Sequence, residues 1–134
     1  MKRLIILVSF IACSYSLSAQ TEEKTTYPLV ISFQSECCGV PSDSAIKKFI
    51  SAYKKQYKLK KISACRIGPM GREGEYYLAF PLKELNNKKR AAFISKIKNV
   101  RPLKSDKGLF SFNEKMEIDA ATLSQRTKTK EVIF

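Results

Sequence analysis

Hydrophobic and polar positions alternate along several stretches of the chain, which is the pattern of strands with one buried side. The first predicted strand covers residues 27–35. Its apolar side consists of Leu29, Ile31 and Phe33. The same pattern predicts further strands over residues 60–67, 75–82 and 108–112 (with Met116 and Ile118 as an extension of the last of these) and over the terminal residues 131–134.

Two other stretches repeat apolar residues at intervals of three and four positions, which predicts amphipathic helices. The first helix begins at Ser42 or Asp43, both good N-cap residues. Its apolar stripe consists of Ile46, Phe49, Ile50, Tyr53 and Tyr57. The second helix has a narrower stripe and runs from Asn86 or Asn87 to about Lys98.

The element order β-α-β-β-α-β predicts an α+β, ferredoxin-like domain over residues 28–118, followed by a C-terminal extension over 119–134. This fold has an antiparallel four-stranded sheet with both helices on one face. Its first and second strands run in the same direction. The loop after the first strand and the hairpin after the second are therefore expected at the same end of the sheet.

The N-terminal residues have the pattern of a secretory signal peptide. Lys2 and Arg3 precede an apolar run over residues 4–12, and small residues lead up to Ala19. We expect residues 1–19 to be removed after Ala19, because the apolar run is too short to span a membrane.

Export to the periplasm or the extracellular space follows from this leader, and no transmembrane helix is expected. Residues 20–27 are then a flexible mature N-terminus. In an alternative interpretation, the sequence ending at Cys13 resembles a bacterial lipobox, which implies a lipid anchor on Cys13.

The charge and residue composition point to binding rather than catalysis. The net charge is +13 and the chain has no histidine, which removes the commonest general base and the imidazole metal ligand. No pair of carboxylates and no serine stands in a catalytic pattern, so no catalytic residue is assigned. Lysines on both helices suit an anionic surface or a protein partner. Nucleic acid is not expected, because no aromatic residues are interleaved with these lysines.

Cysteines supply the candidate chemistry. Cys37 and Cys38 lie in the loop between the first strand and the first helix, and Cys65 lies on the second strand. Thiolates at Cys37 and Cys38 would bind a soft metal ion, and a nearby helix N-terminus would favour the thiolate form. The three cysteines also allow disulfides. Cys37 and Cys38 can bond to each other, or either can bond to Cys65, and the sequence leaves this pairing open.

The cysteine loop resembles that of the heavy-metal-associated domain, which has a βαββαβ fold with a Cys-x-x-Cys motif before its first helix. The resemblance implies metal binding at Cys37 and Cys38. The spacing departs from the motif, because Val40 or Pro41 stands where the second cysteine of the family is found.

The same stretch resembles the active-site segment of thioredoxin, in which a strand leads into Cys-Gly-Pro-Cys and a helix. Cys38 and Gly39 match the first two positions, and Pro41 stands at the resolving cysteine. This resemblance implies dithiol exchange.

The hairpin over residues 68–74 holds three of the five glycines. Its backbone N–H groups at Gly71 and Gly74, together with Arg66 and Arg72, form a candidate anion site. The leading hypothesis is therefore a binding module that takes a thiophilic metal or an anion where the loop of Cys37, Cys38 and Gly39 meets this hairpin. The second hypothesis is a protein-interaction or inhibitor module that uses the sheet face, including Tyr77, or the basic helical face. The third is a thiol redox protein.

Overall fold

The computed structural model describes residues 23–104, 107–124 and 129–134. The strands are β1 (Lys24–Gln34), β2 (Ser63–Met70), β3 (Glu75–Phe80), β4 (Leu109–Asp119) and β5 (Thr129–Ile133). The helices are α1 (Ser44–Tyr57), α2 (Asn87–Ile97) and α3 (Ala120–Ser124). No helix within these ranges is long and apolar enough to cross a membrane. The predicted signal peptide and the alternative lipid anchor at Cys13 lie outside the described residues.

All five strands form one antiparallel sheet in the order β4-β1-β3-β2-β5. The α+β class is confirmed, but the prediction of a four-stranded sheet is wrong. β5 is a fifth strand, because residues of the predicted C-terminal extension pair with the free edge of β2, with Ser63 opposite Ile133. The long sequence separation of these two strands hides this pairing from local patterns.

One face of the sheet, here called the first face, is covered by α1 and α2. Leu29, Ile31 and Phe33 of β1 are fully buried in its core, as their alternation predicts. The helices contribute apolar side chains to the same core, including Ile50 and Phe93. Burial of this much apolar surface is the main stabilising contribution to a domain of this size.

The opposite, second face carries a smaller apolar cluster. It consists of Tyr27, Val30, Ile67, Ala79 and Ile118. Leu123 of α3 packs against it. The predicted interaction surface on this face is therefore partly occupied by the chain's own C-terminal segment.

Several element boundaries differ from the predictions. β1 begins at Lys24, inside the stretch expected to be a flexible N-terminus, and Tyr27 is buried because β4 pairs with β1 as far as Lys24. β2 continues to Met70, so Gly68 lies in the strand and the turn is confined to residues 71–74. The Asn86 side chain accepts a hydrogen bond from the backbone N–H of Lys89 at 2.9 Å, which confirms it as the N-cap of α2.

Candidate functional site

The loop between β1 and α1 carries two exposed thiols side by side, here called the thiol pair. The Sγ atoms of Cys37 and Cys38 lie 2.7 Å apart and share a hydrogen bond. Both cysteines are exposed and neither forms a disulfide. Successive side chains of an extended strand point to opposite sides, whereas Cys37 and Cys38 lie in a bend of the loop. The loop geometry therefore creates a two-sulfur site.

Local interactions disfavour a second thiolate in this pair. The pKa of Cys37 is raised, first by its hydrogen bond with Cys38, and further by partial loss of solvent and by the charge of Cys38. The carboxylates of Glu36 and Glu73 also raise this pKa. We expected a nearby helix N-terminus to favour the thiolate. That expectation is not met at Cys37, because α1 begins only at Ser44 and the surrounding charges are negative.

The β2–β3 turn lies at the same end of the sheet as the thiol pair, here called the loop end. Glu73, in the middle of this turn, is close enough to Cys37 to influence its pKa. Phe33, two residues before the loop, is opposite Tyr76 at the start of β3. The antiparallel pairing of β1 with β3 and of β3 with β2 thus brings the two separate loops together, as the predicted topology requires.

The residues of the predicted anion site point in different directions. The Arg66 guanidinium lies 3.4 Å from the centre of the Tyr76 ring, on the first face. Burial raises the pKa of Tyr76 to about 12, with a further contribution from Asp43 that Arg66 partly offsets. Arg66 is therefore engaged as a partner of Tyr76, although the anion site stays a prediction.

The turn residues of that predicted site are close to carboxylates. Arg72 is exposed, and Gly71 and Gly74 adopt positive φ angles of 67° and 80°. The side-chain carboxylate of Glu75 lies directly against Gly71. A negative charge at this position repels an anion approaching the Gly71 backbone.

Cys65 has different surroundings from the thiol pair. It faces the second face, in register with Ala79 and Glu131, and packs against the cluster that contains Tyr27. The pKa of Cys65 is raised, mainly by burial. A hydrogen bond with the Tyr27 hydroxyl opposes this shift, and the Glu131 carboxylate adds to it. All three cysteines are free thiols, and Cys65 lies along the middle of the sheet rather than in the loop.

A cleft at the loop end was missed by sequence reasoning. It has a volume of about 380 Å³ and lies between the end of β1, the β2–β3 turn and the start of β4. Two of its lining residues carry buried oxygens without a hydrogen-bond partner, the Ser35 hydroxyl and Oε2 of Glu75. Glu75 is separated from Tyr77 by two positions and therefore shares its side of β3, which is the one sequence signal that could have indicated this position.

A larger groove of about 750 Å³ runs between α2 and the β1 and β4 strands. Two of its charged residues, Arg90 and Lys98, have partners within the protein. Nη2 of Arg90 donates to the carbonyl oxygens of Leu82 and Leu85 at 3.2 and 3.3 Å, although its Nε is buried without a partner. Lys98 at its rim forms an ion pair with Glu114. These contacts give Arg90 a clear structural role in holding the segment between β3 and α2.

The donor atoms at the loop end suit a soft cation more than a hard one. Among the residues that the structure describes, no three histidine, cysteine or acidic side chains are grouped so that they could hold a metal ion. A metal bound here would therefore have two thiolates from this chain as its protein ligands. Soft ions such as Cu(I) prefer thiolate ligands.

The fold and this site define a small α+β protein with an exposed pair of adjacent thiols. Comparisons with protein-family models, with curated proteins and with solved structures find no match. The functional argument therefore rests on the geometry of the chain itself.

Proposed function

We propose that this protein is a small, non-catalytic binding module that takes a thiophilic metal ion at Cys37 and Cys38. The observation that carries this proposal is the 2.7 Å separation of two exposed sulfurs. A modest opening of this pair would let both sulfurs ligate one soft ion, and no buried group has to move.

The nearby charges favour a cation over an anion at this site. Glu36 and Glu73 raise the pKa of Cys37, which holds the proton on the free thiol. The same carboxylates attract a cation, and a bound metal replaces the thiol protons because its own charge stabilises the thiolates. Metal binding therefore releases protons and overcomes the raised pKa, whereas an anion would be repelled.

The test is a titration of the reduced protein with Cu(I), in the absence of oxygen and against a chromogenic chelator of known affinity. We expect one Cu(I) per chain in the unaltered protein. The double variant Cys37→Ser, Cys38→Ser is expected to lose it. Cys65→Ser is the matched control, because it removes a thiol that lies on the second face, and it is expected to bind normally. Equal binding by the double variant would refute the proposal.

A second candidate function is docking of an acidic protein on the helical face. The observation that favours it is that most lysines of α1 and α2 are exposed. Among these helical lysines, the described ion pairs include only Lys47, which pairs with Asp43. Just past α2, Lys98 pairs with Glu114. Unpaired surface charge of one sign supports association that weakens with salt. Capture of a partner with all thiols blocked, lost at high salt, would support this function over metal binding.

The third hypothesis, a thiol redox protein, is disfavoured by the raised pKa of Cys37, because thiol exchange requires a thiolate. Turnover in a dithiothreitol-dependent insulin reduction assay, lost in the Cys37→Ser, Cys38→Ser variant, would reverse this preference.

The finer points of fold and location are also proposals. We infer that β1 to β4 with α1 and α2 form a ferredoxin-like unit to which β5 is added, which the strand order β4-β1-β3-β2 supports. We also infer export after cleavage at Ala19, to the periplasm or the extracellular space. N-terminal sequencing of the mature protein distinguishes a start at Gln20 from lipidation at Cys13.

A further inference from the structure

The cleft at the loop end has polar atoms that the protein does not satisfy. Ser35 and Glu75 both line this cleft, and the hydroxyl of Ser35 and Oε2 of Glu75 are buried without a hydrogen-bond partner. None of the ion pairs in the described part of the chain involves Glu75. Buried polar atoms in folded proteins nearly always have partners, so two in one cleft need an explanation.

The chemistry of these two oxygens specifies what would satisfy them. A carboxylate only accepts hydrogen bonds, and a hydroxyl can accept as well as donate. A ligand that serves both must therefore bring at least two donors and, opposite Glu75, a positive charge. A primary ammonium group has three N–H donors around one charge, which meets this requirement from a single atom.

The walls of the cleft suit the remainder of such a ligand. Met70 and Leu109 supply apolar surface, and Phe33, Gln34 and Tyr77 line the cleft as well. The volume of about 380 Å³ lies within the range of small-molecule sites. A chain of methylene groups would lie against the apolar side chains while its ammonium group reaches the two oxygens.

We propose that this cleft binds a primary ammonium group carried on an alkyl chain. Free alkylamines and lysine side chains share this chemistry. The proposal is independent of metal binding, because the cleft is not lined by either cysteine of the thiol pair.

The position of Glu75 is set by the turn. A Cβ on Gly71 would collide with the Glu75 carboxylate, so glycine at this position lets the carboxylate lie against the backbone. Gly71 has a φ of 67°, which glycine adopts without strain. The carboxylate is thereby held within the cleft instead of extending into solvent.

The test follows backbone amide signals of Ser35, Gly71 and Tyr77 by NMR while butylammonium chloride is added to the full-length protein. A parallel titration uses Nα-acetyl-lysine methylamide, which presents the same group on a lysine side chain. Tetramethylammonium chloride is the control ligand, because it has the charge but no N–H donor. We expect saturable shifts with at least one of the two primary amines and none with tetramethylammonium.

The key variant is Glu75→Gln, which keeps the shape of the side chain and removes its charge. It is expected to weaken amine binding roughly ten- to a hundredfold, the usual effect of losing a charged hydrogen bond. Glu73→Gln is the matched control, because it removes the same charge from an exposed position that does not line the cleft. It should change the affinity for the amine by less than about threefold.

Ser35→Ala provides a second variant that does not alter the charge, and it is expected to weaken binding by a smaller factor. The NMR spectrum of each unliganded variant reports whether the fold is preserved. Unchanged affinity in a folded Glu75→Gln protein, equal shifts with tetramethylammonium, or no saturable shifts with either amine would each overturn the proposal. Metal binding by the thiol pair would remain unaffected by any of these results.

Discussion

The helix-covered first face and the loop end of the same sheet differ in how completely their groups are satisfied. On the first face, apolar side chains are fully buried and aromatic rings contact one another, as with Phe93, whose ring centre lies 5.1 Å from that of Tyr53. The buried Tyr53 hydroxyl there is paired, since it donates to the carbonyl oxygen of Lys89 at 2.6 Å, although Nε of Arg90 on α2 is buried without a partner. At the loop end, two sulfurs are exposed and two buried oxygens lack partners.

This difference separates stability from function within one small domain. Close packing makes the first face intolerant of change, whereas the loop end carries the groups of both proposed binding sites. Proteins commonly place unsatisfied or strained groups at functional sites and stabilise them through the rest of the fold. The predictions below test whether the two regions differ in this way.

The largest expected effect comes from opening a cavity in the first face. Phe93→Ala should lower the free energy of unfolding by about 3–5 kcal/mol, because Phe93 is fully buried among other aromatic rings. Cys37→Ala at the loop end should change it by less than about 0.5 kcal/mol, because Cys37 is exposed. Urea denaturation followed by circular dichroism measures both. Similar losses in the two variants would contradict the comparison.

Two glycines of the β2–β3 hairpin provide a matched pair. A Cβ on Gly68 would lie 2.7 Å from Cβ of Tyr76 and 2.9 Å from the Glu75 carbonyl oxygen, whereas a Cβ on Gly74 would meet nothing within 4 Å. Gly68→Ala should therefore destabilise the protein by roughly 2–4 kcal/mol, from crowding as well as backbone strain. Gly74→Ala should cost about 1 kcal/mol, from strain at its positive φ alone.

The same urea experiment measures the glycine variants. If Gly68→Ala and Gly74→Ala lower the free energy of unfolding equally, packing beneath Tyr76 is looser than the structure shows.

Thiol chemistry should distinguish the two kinds of cysteine environment. The exposed thiol pair should react with an aromatic disulfide reagent at least about tenfold faster than Cys65, because Cys65 is partly buried against the second-face cluster. Single-cysteine variants allow each rate to be measured. A Cys65 that reacts as fast as Cys38 would show that the second face is more open than its packing indicates.

The raised pKa of Cys37 has its own consequence for the pH dependence of this reaction. Its rate should keep rising with pH beyond the ordinary pKa of a cysteine, because the thiolate forms only above the raised value. Replacing Cys38 with alanine removes the hydrogen bond that contributes most to the raised pKa and should shift this rise to lower pH. A rate profile that is identical with and without Cys38 would contradict the assigned cause.

The smallest effect is expected at Glu84, near the start of α2. Burial tends to raise its pKa, but hydrogen bonds from the Ser63 hydroxyl and backbone N–H outweigh burial and leave the pKa lowered. A lowered pKa in the folded state stabilises the fold above the carboxyl's ordinary pKa. This contribution is lost as the pH falls through the lowered value. The stability difference between the unaltered protein and Glu84→Gln should therefore shrink as the solution is acidified, as measured by urea denaturation at each pH.

Local patterns predicted the framework of the fold well. The helix stripe from Ile46 to Tyr53 lies in the first-face core, and Asn86 caps α2 as its side chain suggested. These features depend on residues close together in the chain, so periodicity and capping rules reveal them. The loop that carries Cys37 and Cys38 was located for the same reason.

Other features required the three-dimensional structure. Pairing of Ser63 with Ile133 joins residues far apart in the chain, and the terminal segment alone does not indicate which strand it will join. Glu73 and Glu75 received no functional role from the sequence. Their proximity to Cys37 and to Gly71 depends on how the two loops meet.

The sequence by itself determined the order of β1 to β4 with α1 and α2, the apolar stripe that each of these two helices buries and the position of the adjacent cysteines, because these follow from local spacing. Only the tertiary structure decided that a fifth strand completes the sheet, that the two sulfurs lie 2.7 Å apart, and that Ser35 and Glu75 share one cleft without partners. Those features depend on distances between side chains from separate segments, which arise only when the sheet brings the segments together.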